Sequence, residues 1–166
     1  MSTLKVDAIQ GSDGTSRNVV VQRVYVQDGE AATGTSLIPN DDTIPTSSEG
    51  TQFMSLAITP TNASNILKID VVFHYGNSST SFCTTALFQD STANALSASM
   101  FGYLNVNCWS RMNFTHYMVA GTTSATTFKV RHGPESASTS TFNGVGGTRD
   151  MGGVMASSIT ITEYEA

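Results

Sequence analysis

Three histidines, two cysteines and thirteen acidic residues are the side chains of this sequence best suited to chemistry, and their spacing limits what they can do. His74, His116 and His132 fall in three separate segments. Acid–base catalysis needs titratable groups converging in one pocket, and nothing local brings these three together. No serine lies in a G-x-S-x-G elbow, the strained turn that exposes a nucleophile. Cys83 and Cys108 carry no cysteine-protease signature. H-x-H, H-E-x-x-H and C-x-x-C are absent, which argues against zinc. Asp41-Asp42, with Asp28 or Glu30, offers oxygen ligands to calcium but matches no EF-hand loop, so solvated carboxylates are the plainer reading. The run Gly144, Gly146, Gly147, Gly152 and Gly153 lacks the Gly-Lys-Ser/Thr ending and following helix of a phosphate loop. Those glycines fit a bulge, a tight turn or a close backbone approach. The rings of Tyr103, Trp109 and Tyr117 could stack on sugars, although a single Trp more often serves a core or an interface. No catalytic residue, metal or cofactor is expected.

The elements that must position these residues are strands. Charged residues make up only 13% of the 166 positions, and roughly a quarter are Ser or Thr. Thr suits a pleated, half-buried surface and Ser suits turns. No stretch stays apolar at i, i+3, i+4, i+7 for three turns, so helices are not expected. The net charge of −5 leaves no basic surface for nucleic acid. No apolar run approaches the ~20 residues of a membrane span. Met1 to Gln10 is polar and lacks the apolar core of a signal peptide. Two cysteines fall short of a disulfide scaffold; two buried thiols are expected, with a disulfide as the alternative.

Residues 1–18 read as an N-terminal arm whose aliphatics are Leu4, Val6 and Ile9. The arm is too short to bury a core of its own, so the domain, a sister subunit or a partner is expected to hold it. Residues 19–166 read as one domain. Strands are expected over 19–27, 51–59, 66–75, 82–89, 95–106 (an edge), 107–119, 127–131 and 158–164. The clearest is 66–75, with Leu67, Ile69, Val71, Phe73 and Tyr75 on one face and Lys68, Asp70 and His74 on the other. In 51–59, Met54, Leu56 and Ile58 face one way and Phe53, Ser55 and Ala57 the other. In 107–119, Met112, Phe114, His116 and Met118 share a face. Seven or eight short strands with turns every 8–12 residues predict an all-β antiparallel sandwich, jelly-roll-like.

Two parts of the sequence look familiar. MSTLKVDAIQGSDGTS resembles the N-terminal motif of structural proteins of tailed phages, especially marine and cyanobacterial ones. The body resembles a β-rich module of phage fibre and virion proteins through GEAATGTSLIPNDDTIPTSSEGTQFMSLAITPTNASNILKIDVVF, ALFQDSTANAL, HYMVAGTTSATTFKVR and TFNGVGGTRDMGGVMASSITITEYE. Residues 101–112 fit less well and suggest a variable face. The resemblance implies a non-enzymatic, trimeric virion structural protein, made in the host cytoplasm and carried on the virion surface, with no catalytic residues to transfer. Val20, Val24 and Val26 are candidates for packing at a three-fold axis. One expectation is a capsid decoration or cement protein that binds the major capsid protein through the arm residues Leu4, Val6 and Ile9. The alternative is a head or tail fibre module that recognises host glycan through Tyr103, Trp109 and Arg111, with the loops 77–81 and 134–140.

Overall fold

A computed structural model describes residues 19–166, without the side chains of Tyr103 and Leu104. The strands are β1 (Val20–Asp28), β2 (Ala32–Gly34), β3 (Thr51–Ile58), β4 (Ile66–Asn77), β5 (Ser81–Gln89), β6 (Ser97–Leu104), β7 (Trp109–Val119), β8 (Thr126–Pro134), β9 (Ser140–Phe142), β10 (Gly144–Val145), β11 (Thr148–Arg149) and β12 (Ser157–Tyr164). The one helical element among them is a 3-10 turn at Met151–Gly153. No helix among the described residues is long and apolar enough to cross a membrane.

Several short strands are pieces of longer ones. One edge of β4 pairs first with β12, where Val71 faces Ile159, and then with β9, where Tyr75 faces Phe142. Thus β9 and β12 occupy one strand position, interrupted by the β10–β11 hairpin and the 3-10 turn. On their far side β1 pairs with β12 and β2 with β9. The other edge of β4 carries β7 along eleven residue pairs, from Ile66–Val119 to Gly76–Trp109. The first sheet is therefore four strand positions wide. The second runs β3-β8-β5-β6. Eight positions in two facing antiparallel sheets, with most successive strands crossing between them and β5 and β6 paired within the second, form a jelly roll.

The core lies between the sheets. Leu67, Ile69, Val71, Phe73 and Tyr75 of β4 are fully buried, as their alternation predicts, and meet Phe128 and Val130 of β8 and Leu87 of β5. Each such large apolar side chain contributes about 2 kcal/mol. At one end the rings of Phe53, Phe73, Tyr75, His132 and Phe142 form a cluster. Phe53 departs from the expected alternation: a bulge between Gln52 and Met54 turns both Phe53 and Met54 inward.

Two further expectations are corrected. Val24 and Val26 pack against the core of their own domain, leaving Val20 as the exposed member of that trio. The strand's inward phase is theirs because β1 covers one flank of the sandwich. The two thiols are free but only Cys83 is buried; Cys108 is exposed, in the turn that enters β7.

Two polar side chains close the seams of the first sheet. Asn143 sits at the break between β9 and β12 with φ 53°, a left-handed conformation that Asn tolerates. Its Oδ1 accepts from Ser157 N at 3.0 Å and Ser157 Oγ at 2.6 Å, and its Nδ2 donates to the carbonyls of Asp28 and Glu30. Glu163, buried in β12, accepts from Gln22 Nε2, Asn65 Nδ2, and the backbone and hydroxyl of Thr61.

Candidate binding cleft beside Trp109

The pleat turns alternate residues of β4 and β7 outward, onto the face turned away from the second sheet. The ladder sets Lys68 against Tyr117, Asp70 against Thr115, His74 against Arg111 and Gly76 against Trp109. Asp70 is engaged by the Thr115 hydroxyl at 2.6 Å and by Lys68 Nζ at 2.9 Å. Toward the Trp109 end, the β10–β11 hairpin folds over the sheet. Gly76 makes that crossing feasible, since a Cβ there would stand 2.6 Å from Val145 Cγ2 and 2.7 Å from the Gly144 carbonyl oxygen.

A cleft lies at this end of the outer face. His74, Trp109, Ser110, Arg111 and Met155 line a space of about 350 Å3. Asn107, Cys108 and Trp109 line a second depression of about 310 Å3. The indole borders both and remains 55% exposed. Burial and the nearby Arg111 guanidinium hold His74 below the usual histidine range, so it meets neutral solution as an uncharged ring with a donor and an acceptor. Next to the cleft, the loops named from the sequence brace one another: Ser78 N donates to the Thr139 carbonyl at 3.0 Å and Ser138 Oγ to Asn77 Oδ1 at 3.1 Å.

Of the residues named from the sequence, Trp109 and Arg111 line the same cleft. Tyr103 belongs to β6 in the other sheet, and its side chain lies outside the described residues, as do Leu4, Val6 and Ile9. Tyr117 shares the outer face of β7 but stands opposite Lys68, away from the cleft. His74, Ser110 and Met155, which also line the cleft, escaped sequence reasoning. His74 was readable as outward-facing, but its place opposite Arg111 depends on strand register. Met155 carries no sequence signal, because it arrives with the interruption of β9–β12.

Other chemistry-bearing residues are structural. His132 is fully buried, its Nδ1 2.9 Å from Thr85 Oγ1, and burial drives its pKa down to about 3. Burial pushes the Cys83 thiol up to about 12, partly offset by a hydrogen bond with Tyr75, so at neutral pH it is no nucleophile. Asp41 accepts hydrogen bonds from Thr43 in its own turn, and Glu30 pairs with Arg149 at 2.7 Å. Among the described residues no group of three His, Cys, Asp or Glu side chains is placed to hold a metal ion.

The class this fold defines is the jelly-roll β-sandwich. No protein-family model matches the sequence, and no curated protein matches it. Among solved structures the chain is similar to a CBM4 structure, 19% identical with a TM-score of 0.43, over 77% of this chain and 75% of that one. It is similar to Eiger TNF from S. frugiperda, 8% identical with a TM-score of 0.49, over 87% and 93%. It is also similar to infectious bursal disease virus, Gx strain, 12% identical with a TM-score of 0.43, over 98% of this chain and 41% of that one. The likeness is one of fold alone.

Proposed function

We propose that this chain is a non-enzymatic structural protein of a tailed-phage virion, a capsid decoration protein that binds the assembled head as a homotrimer and stabilises it. The observation that supports this best is the placing of exposed apolar side chains. Val20, Val21 and Tyr25 lie on β1, Tyr117 and Val119 on β7, and these are the opposite edge strands of one sheet. Tyr25 is 71% exposed and Tyr117 60%. Exposed apolar residues gathered on long sheet edges mark contact surfaces. Two different edges suit a heterologous contact, β7 of one copy against β1 of the next, which closes when the rotation is three-fold. Residues 1–18 lead directly into β1, so an arm anchored on the capsid would set the trimer down on its surface. Deleting residues 1–14 tests the anchoring role. The truncated protein is expected to keep its fold and fail to load onto heads; normal loading contradicts the proposal.

A second reading is favoured by the cleft. An exposed indole beside a guanidinium and an imidazole is a combination that can hold a sugar ring, with the aromatic face supplying contact area and the polar groups fixing orientation. On this reading the protein displays a glycan-recognition site on the particle. Host adsorption unchanged by Trp109→Ala, together with an empty glycan array, would remove it.

A further inference from the structure

We propose that the Trp109–Arg111 cleft takes a saccharide bearing a carboxylate, with the indole against the sugar ring and the Arg111 guanidinium paired to the acid group. The proposal rests on the glycan reading and names its ligand class.

Arg111 carries the argument. Every other described arginine is engaged within the domain. Arg23 Nε donates to Thr162 Oγ1 at 3.1 Å, Arg131 to the carbonyls of Glu49 and Gly50 at 2.7 Å, and Arg149 to Glu30. Arg111 is exposed and meets neither an acceptor nor a carboxylate among the described residues. The ladder neighbour that faces it is His74, which is no anion. The nearest acid along the same face of β4, Asp70, is already occupied by Lys68 and Thr115. A free guanidinium beside an exposed indole therefore stands at the mouth of a cleft in a chain whose net charge is −5. Its planar fork matches a carboxylate through two parallel N–H···O bonds.

The count of charges selects among anions. With His74 held neutral, the cleft offers one positive charge, which suits a singly charged carboxylate better than a dianionic phosphate. Size selects the rest. Spaces of about 350 Å3 and about 310 Å3, both bordered by Trp109, are each large enough for a sugar unit. Met155 adds an apolar wall for the less polar face of the ring, while His74 and Asn107 supply hydrogen-bonding groups.

The test uses the full chain. A glycan array carrying sialylated, uronic-acid and neutral saccharides is read first, and the best acidic ligand is then titrated by calorimetry beside its methyl ester. Binding of acidic saccharides is expected, with esterification weakening affinity at least tenfold. Arg111→Gln should weaken the acid form by a similar factor and leave the ester unchanged; Arg111 is exposed, and an unaltered unfolding midpoint verifies that the variant folds. Equal binding of acid and ester, or wild-type binding by Arg111→Gln, overturns the carboxylate assignment and leaves the glycan reading standing. An array with no bound saccharide overturns both.

Discussion

Asn65 Nδ2 stands 2.6 Å from Glu163 Oε1, a short hydrogen bond between side chains 98 residues apart. It belongs to a cluster in which a buried carboxylate from the last strand gathers donors from β1 and from the turn between β3 and β4. No cation takes part among the described residues. The charge is held by neutral hydrogen-bond donors, and these tie both ends of the described chain to the middle of the fold.

The Glu163 cluster predicts an acid sensitivity. Burial would raise the carboxyl pKa, but the donors from Gln22, Asn65 and Thr61 outweigh it and bring the pKa from 4.5 down to about 2. The unfolded chain takes up this proton below about pH 4.5 and the folded chain does not. The stabilisation is therefore complete above that pH and is lost as pH falls toward 2. Glu163→Gln is expected to lower stability at pH 7 by about 1–3 kcal/mol and to flatten the pH dependence between 4.5 and 2. Urea unfolding midpoints across that range measure both effects.

His132 adds a second window at higher pH. Its ring is neutral in the folded protein down to about pH 3, whereas the unfolded residue protonates near 6.5. Stability should therefore fall as pH drops from 6.5 toward 3. His132→Phe keeps a ring against Phe73 and Tyr75 and removes the titration. The variant is expected to reduce the slope between pH 6.5 and 4.5, where Glu163 contributes none and His74 and His116, also lowered by burial, supply the remainder; a slope equal to wild type would contradict the assignment.

Asn143 should be costly to replace. Its side chain satisfies the backbone N–H and hydroxyl of Ser157 and two carbonyls of the β1–β2 junction. Asn143→Ala removes these hydrogen bonds from a buried seam and places alanine at φ 53°. A loss of about 3 kcal/mol is expected, read as a lower urea midpoint. Amide exchange should rise at Ser157, at the junction of the interrupted strand, before it rises in the centre of β4.

The edge strands give the test of assembly. If β7 of one copy meets β1 of the next, Tyr25→Glu and Val119→Glu should each convert the trimer to monomer at micromolar concentration. Their exposure in the single chain means the fold itself should survive. Light scattering distinguishes trimer from monomer, and a wild-type protein that is already monomeric would contradict the proposed assembly.

Much of this fold can be read in the sequence because β4 is buried on one face and open on the other. Its period of two survives from Leu67 to Tyr75 without interruption. The inward set of β7 and the edge position of β6 follow the same logic. Where backbone irregularity intervenes, the pattern misleads. Phe53 turns inward because of a bulge, and β2 and β9, three residues each, are too short to show a period. The Gly-rich segment was expected to permit a bulge, a tight turn or a close approach. The reason it must do so, a hairpin crossing the outer sheet face at Gly76, is a tertiary fact. The same holds for the cleft: residue type pointed to Trp109 and Arg111, while only register could add His74, and only the strand interruption could add Met155.

Electron microscopy of the intact particle tests the central claim most directly. The account predicts jelly-roll density on the outer surface of the head, in groups of three, with the N-terminal arm running into the capsid shell and the β1 and β7 edges meeting between copies. Density for this chain confined to the tail, or a head surface that lacks it, would contradict the proposal that the protein decorates the capsid.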